Sequence, residues 1–378
     1  MLFNSLTFLI FLPLVFAIYW LLGKAKKLMW QNLWLLTASY VFYGWWDYRF
    51  LALIVASTLV DYWVGLRIAA AEEQPVRKRW LWGSIAFNLG LLGFFKYYNF
   101  FVESWVDAFA SIGYQLDPWT IQIILPVGIS FYTFQTMSYS LDIYRRQLQP
   151  TRDFIGFAAF VSFFPQLVAG PIERASNLLP QILQRRSFSY PQAVRGCRLI
   201  LWGFFKKIVI ADALAPAVNE IFANYGEYSS GVLLLGAFYF TLQIYCDFSG
   251  YSDIAIGTAK LFGINLMTNF RFPYFSRSIG EFWRRWHISL STWFRDYVYI
   301  PLGGSRVSSL LAIRNVFVVF LVSGLWHGAN WPFVFWGLLH ALLFIPSFVV
   351  GTNRQAFSTW QGGPISKANW IDLLRIFG

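Results

Sequence analysis

Charge is what this chain is short of. Asp, Glu, Lys and Arg make up only 13% of its 378 residues, about half the share usual in a soluble domain. A soluble fold of this length must cover a large surface with polar groups, and too few are present, which excludes that class. Acidic residues are scarcer than basic ones, 18 against 30, so the formal net charge is +12. The basic residues stand in short clusters between apolar runs, where they orient membrane helices; no nucleic-acid partner is expected. Cysteine is nearly lacking. Cys197 and Cys246 have no metal-ligand spacing, read as packing residues and identify no redox compartment. No Gly-x-Ser-x-Gly elbow offers a covalent serine and no His-Glu-x-x-His offers zinc, so no metal is expected.

What is abundant is apolar: 57% hydrophobic residues, with 40 Phe, 20 Tyr and 19 Trp. The expected fold class is an all-α polytopic membrane protein, a multi-helix bundle with re-entrant and interfacial helices. Runs of spanning length are expected at Ser5–Leu22, Leu28–Tyr43, Phe50–Ala69, Trp80–Tyr98, Ile121–Leu141, Leu199–Pro216, Gly231–Phe248, Leu310–Leu325 and Pro332–Val350. The ten-residue alternating strands of a membrane β-barrel are not seen. The N-terminal run lacks a preceding basic region and a small-residue cleavage site, so it reads as a retained first helix.

Basic loops at Lys24, Lys26 and Lys27, at Arg77, Lys78 and Arg79, and at Arg145, Arg146 and Arg152 alternate with a loop holding Glu103, Asp107 and Asp117. The positive-inside rule then places the N-terminus outside and the basic loops in the cytoplasm. Phe154–Ala169 is apolar but contains Pro165. Crossing there would put Arg174, Arg185, Arg186, Arg195 and Arg198 outside, so it is expected to be re-entrant or buried in protein. Asp61, Lys96 and Asp142 interrupt apolar helices and suit helix-packing or helix-end roles.

Residues 249–309 carry seven Lys or Arg and three acids and form the expected cytoplasmic-side functional region of a single domain, 1–378. Within it, Ile279–Tyr297 fits one amphipathic helix. Phe282, Trp283, Trp286, Leu290, Trp293, Phe294 and Tyr297 share a face, and Arg284, Arg285, Ser289, Ser291, Thr292, Arg295 and Asp296 lie opposite. Such a helix can lie in the membrane interface with its arginines on lipid phosphates. Equally, Arg284, Arg285 and Arg295, with Ser291 near them, could contact the phosphates of an acyl donor in a cytoplasmic cavity.

Three histidines occur. His287 sits at the border of that helix's faces. His327 lies in SGLWHGANWP, where Gly324, Gly328, Asn330 and Pro332 break regular helix. His340 lies inside the last apolar run. An ionisable group at membrane depth is a functional candidate, and a neutral hydrogen-bonded histidine is the alternative. Histidine accepts an alcohol proton near neutral pH, which suits attack of a hydroxyl on a thioester. Asp247 and Asp253, in YCDFSGYSD, either orient a histidine or bond helix ends.

These segments also carry a resemblance. MLFNSLTFLIFLPLVFAIYW, ILPVGISFYTFQTMSYSLDIYR, FFPQLVAGPIER, LQIYCDFSGYSDIAIG, NFRFPYFSRSIGEFWRRWHISLSTWFRDYVYIPLGGSR and LVSGLWHGANWPFVFWGLLHA resemble the membrane-bound O-acyltransferase (MBOAT) family, in its bacterial alginate O-acetylation branch. The resemblance implies acyl transfer to a hydroxyl with His327 as the catalytic histidine and His287 important beside it. It implies acetyl-CoA as co-substrate with no permanently bound cofactor, an exported polysaccharide as acceptor and a periplasmic acetyl-transfer partner. It also implies a place in the bacterial inner membrane, in contact with lipid. Arg271 stands where the family usually has Asn. Relatives continue past the equivalent of Gly378, and GPISKANWIDLLRIFG reads as the approach to another helix, so a C-terminally truncated chain is expected. D-alanyl transfer to a teichoic acid and a transporter are the competing functions; the internal repeat of many transporters is not found.

Overall fold

The computed structural model describes residues 1–24, 28–168 and 170–349. Lys26, Lys27, Gly378 and the segment GPISKANWIDLLRIFG lie outside the described residues. In chain order the helices are α1 (Leu6–Lys24), α2 (Leu28–Asp47), α3 (Leu51–Ala70), α4 (Gln74–Leu92), α5 (Tyr98–Ser111), α6 (Ile129–Tyr144), α7 (Phe154–Val161) and α8 (Phe164–Leu167). They continue as α9 (Ala175–Leu183), α10 (Tyr190–Phe204), α11 (Asp212–Ala223), α12 (Ser230–Leu261), α13 (Ile279–Arg285), α14 (Ile288–Phe294), α15 (Ser309–His327) and α16 (Trp331–Val349). No strand occurs among the described residues.

Among the described residues, six helical stretches are long and apolar enough to cross a membrane: Leu6–Gly23, Leu28–Ala70, Gln74–Ser111, Ser230–Leu261, Ser309–His327 and Trp331–Val349. The chain is an all-α polytopic membrane protein, as its composition requires. Two expected spans come out differently. Ile121–Leu141 is not one helix: residues 115–127 carry no helix, and α6 begins only at Ile129. Pro126 lacks the amide a helix needs, and Gly128 adopts φ 76°, a left-handed conformation suited to glycine. Nearly all of α6 is then buried in protein, including Thr133, Gln135, Ser138 and Asp142. Leu199–Pro216 lies within continuous helix, but a π-helical turn at Phe205–Ala211 carries Lys206 and Lys207 through its middle. The run Phe154–Leu167 is broken between α7 and α8, and Phe157, Phe160, Phe163 and Phe164 are fully buried. This is the protein-buried form of the expected arrangement.

The chain forms two compact units. The first comprises Met1–Phe95 and Ile123–Met267; the second comprises Lys96–Gln122 and the described residues from Thr268 on. In the first unit α10 and α12 touch backbone to backbone. A Cβ on Gly196 would lie 2.7 Å from the Gly257 carbonyl oxygen, and one on Gly203 would lie 2.6 Å from that of Gly250. Asp61 on α3 is fully buried and accepts from Ser84 (2.5 Å) and Asn88 (2.7 Å) on α4 and from Ser140 (2.7 Å) on α6. It ties three helices together, the packing role its sequence setting suggested.

In the second unit α15 and α16 approach as closely. A Cβ on Gly324 would sit 2.3 Å from the Phe333 carbonyl oxygen, and one on Gly337 would sit 2.4 Å from that of Phe320. The single helix expected over Ile279–Tyr297 is broken here. His287 adopts φ 43°, ψ 54° between α13 and α14, and a π-helical turn follows at Arg295–Tyr299. The cause is a distant segment that claims the backbone at the joint. The Asn269 carbonyl accepts from the Ile288 amide at 2.9 Å, and the Arg271 amide donates to the Arg285 carbonyl at 2.9 Å. The Asn269 side chain accepts from the Ser289 hydroxyl at 3.0 Å and the Ser289 amide at 3.3 Å, satisfying amides that every helix start leaves open. Trp286, Leu290, Trp293 and Phe294 are buried in protein.

Candidate active site

The break between α13 and α14 makes the site possible, because it turns His287 inward. Its side chain is 1% exposed. Its imidazole ring centre lies 6.3 Å from that of His327 and 5.8 Å from the Trp326 ring. Burial first, and the neighbouring His327 second, hold the His287 imidazole well below its usual range, so it is neutral at physiological pH.

His327 is the last residue of α15. Its ring lies 5.2 Å from Trp336 at a steep angle. Trp336 in turn meets His340 at 4.5 Å and Trp283 at 5.7 Å. His340 also meets Trp283 at 5.0 Å and stacks on Phe320 at 6.4 Å. Three histidines far apart in sequence thus share one aromatic cluster, built from α13, the His287 joint, α15 and α16. Asn330 is exposed, and its carbonyl accepts the Phe333 amide at 3.1 Å, so it starts α16.

Trp283 and Phe320 also line a cavity of about 760 Å³, together with Arg284, Ser291, Arg295 and Phe344. Most of the wall is apolar, supplied by α15 and α16 (Val316, Val319, Phe348), and the arginines come from the broken helix. Burial lowers the Arg284 guanidinium below its usual value and Glu281 opposes this; a guanidinium stays charged at neutral pH in any case. Arg295 pairs with Asp296 at 2.6 Å. Arg285 is held instead by Glu281, at 2.5 Å. Glu281 is 4% exposed and also accepts from the Arg277 amide at 3.0 Å. Asp247 and Asp253 belong to the first unit, where Asp253 pairs with Lys206 at 2.7 Å and Asp247 with Lys207. Among the described residues no cluster of His, Cys, Asp or Glu could hold a metal ion.

The model of the MBOAT, membrane-bound O-acyltransferase, family matches residues 4–370. The chain belongs to this family. Among its relatives, the "Probable alginate O-acetylase AlgI" of Azotobacter vinelandii is 47% identical, covering 90% of this chain and 67% of the relative. The "Peptidoglycan O-acetyltransferase" of Helicobacter pylori is 38% identical over 90% of this chain and 69% of its own. The "Teichoic acid D-alanyltransferase" of Bacillus subtilis is 29% identical over 65% and 62%. The chain is therefore similar both to O-acetyltransferases and, at lower identity, to a D-alanyltransferase.

Several residues of this cluster were not legible from the sequence as its members. Asn269 shapes the His287 joint from eighteen positions upstream, and Trp336 links two histidines. Lys96, expected in a helix-packing or helix-end role, bonds the Trp326 carbonyl beside His327. Its signal was a charge inside an apolar run, which does not say which helix end it meets.

Proposed function

We propose that this protein moves an acetyl group from a cytoplasmic thioester, acetyl-CoA, toward hydroxyls of an exported polysaccharide, with His327 as general base. The observation that carries this is the pairing of His327 with a buried, neutral His287. The pair connects through Trp336, His340 and Trp283 to a cavity whose polar side chains include Arg284, Ser291 and Arg295. Higher identity to O-acetyltransferases than to a D-alanyltransferase favours acetyl as the group moved.

In this reading the His327 imidazole accepts the hydroxyl proton as the oxygen attacks the thioester carbonyl. A C–O bond forms, the C–S bond breaks, and the proton passes to the departing thiolate. Arg284 and Arg295 meet phosphate oxygens of the donor, for which a planar guanidinium fork is suited. Arg285 holds α13 through Glu281, and His340 and Asn330 support the cluster and the start of α16. The acceptor is the polysaccharide itself or a periplasmic partner that carries the acetyl group onward. The N-terminus lies outside, so a reporter after Phe109 should read outside and one after Lys78 cytoplasmic; both on one side would refute that orientation.

The deciding experiment measures thiol release from acetyl-CoA in detergent, with alginate oligosaccharide or peptidoglycan fragments as acceptor. His327→Gln should lose about 10²–10⁴-fold in transfer rate at matched amounts of monodisperse protein. Arg284→Gln should raise KM for acetyl-CoA more than it lowers kcat. Near-normal transfer in His327→Gln would sink the base assignment.

A further inference from the structure

Two successive side chains of the π-helical turn Gly93–Tyr97 reach one helix end. The Lys96 ammonium donates to the Trp326 carbonyl, and the Tyr97 hydroxyl donates to the Leu325 carbonyl at 2.8 Å. Both carbonyls belong to the last turn of α15, where no further helical amide is available to them. The ammonium also stands 5.5 Å from the centre of the Trp326 ring. A cation there meets the negative end of the helix dipole. The next residue in the chain is His327, after which the backbone leaves the helix at Gly328 with φ −163° and ψ 143°.

We propose that Lys96 is a positioning residue for the transfer reaction: by fixing the Trp326 carbonyl it fixes the place of the His327 imidazole, and Tyr97 does the same through Leu325. The inference rests on the reading of His327 as base. Its physical ground is that helix ends fray, while a displacement of about 1 Å in a reacting group costs on the order of 10²-fold in rate. A base on the last residue of a helix needs that last turn held. Packing alone would not call for lysine at this position, because a methionine fills the same volume without a charge in an apolar stretch. The ammonium supplies a strong, directed donor at the one turn where the chemistry needs rigidity.

The test uses thiol release from acetyl-CoA with alginate oligosaccharide, at matched amounts of monodisperse full chain. Lys96→Met should lower kcat by about 10- to 100-fold and leave KM for acetyl-CoA within about twofold, because the cavity arginines are untouched. Lys96→Arg should recover most of the rate, since a guanidinium N–H can bond the same carbonyl. Placed in a His327→Gln background, Lys96→Met should cost nothing further, as residues acting through one group are not additive. A full rate in Lys96→Met beside an inactive His327→Gln overturns the inference and leaves the base reading standing. A full rate in His327→Gln overturns the base reading and, with it, this inference. A multiplicative loss in the double variant also overturns it, because the lysine would then act elsewhere. Should Lys96→Met not fold, Tyr97→Phe decides: it loses only a hydroxyl, and a kcat fall of about three- to tenfold at constant KM is expected, while an unchanged kcat overturns the role of this pair.

Discussion

Two helix pairs in this protein are built the same way and hold different chemistry. In the first unit α10 and α12 meet through Gly196 with Gly257 and Gly203 with Gly250. In the second, α15 and α16 meet through Gly324 and Gly337. In lipid, helices gain little from hiding apolar side chains, so close backbone packing at small residues does the holding. The difference lies beside the contact. Next to Gly250, Lys206 bonds Asp253 at 2.7 Å and Ser249 at 2.9 Å, and Lys207 bonds Asp247 and Asp212. Those charges neutralise one another and lock the π-helical turn. Next to Gly324 and Gly337 stand His327, Trp336 and His340, two imidazoles packed against an indole ring. The glycines mark where helices touch; the chemistry of their neighbours decides whether the contact is a lock or a site.

The contrast is broken most directly by comparing His327→Gln with Lys206→Met. The first should lose about 10²–10⁴-fold in transfer with little change in apparent unfolding temperature. The second leaves Asp253 without its cation, at a cost on the order of 3 kcal/mol, and should keep kcat per folded molecule. If Lys206→Met retained its stability and lost kcat, the lock would belong to the chemistry and the contrast would fail.

The sequence carried the membrane character and most spans because long apolar runs can fold in few ways. It could not distinguish apolar length covered by lipid from apolar length covered by protein, so Ile121–Leu141 read as a span although Pro126 and Gly128 interrupt it. The helical wheel over Ile279–Tyr297 misled for another reason: its periodicity is real, but Asn269 and Arg271, remote in the chain, capture the backbone at His287. His327 could be found as an ionisable group at a helix break. Its meeting with His287 and with Lys96 is tertiary and has no local signal. Asp247 and Asp253 were legible as costly charges, and their lysine partners were not.

A smaller effect sharpens the contrast. A Cβ at position 337 would lie 2.4 Å from the Phe320 carbonyl oxygen, and one at position 203 would lie 2.6 Å from that of Gly250. Both Gly337→Ala and Gly203→Ala force backbones apart and should cost about 1–3 kcal/mol, seen as lower unfolding temperatures in detergent. Only Gly337→Ala should also slow transfer per folded molecule, because it moves Trp336 and His340 against the helix that carries His327. Equal slowing in both variants would show that the two contacts are not functionally distinct.

The smallest expected effect concerns Glu173, a buried acid of the first unit that is 1% exposed. It accepts from the Asn177 side chain at 2.6 Å and from the Met267 amide. Burial lifts its carboxyl from 4.5 to about 7, with the accepted hydrogen bonds pulling the other way. Because the folded value lies above the unfolded one, the folded protein holds more protons between pH 4.5 and 7. Stability from this group is therefore greatest below pH 4.5, falls as pH rises through that window, and is flat above it. Gln cannot ionise, and its carbonyl can still accept the Met267 amide. Glu173→Gln should flatten the fall, so that at pH 8 the variant is the more stable by on the order of 1 kcal/mol once imperfect replacement of the Asn177 bond is allowed for. At pH 4.5, where the wild-type carboxyl is largely protonated, the variant should be the less stable by on the order of 2 kcal/mol, the cost of the imperfectly replaced Asn177 bond. Apparent unfolding temperatures in one detergent across pH 4.5–8 give the comparison. Transfer rates at pH 8 should match, since this acid, like the Lys206 pair, serves packing in the first unit. Parallel pH curves for the two proteins would mean that Glu173 carries no proton in this range, and a loss of transfer in the variant would place it among the groups that serve the chemistry.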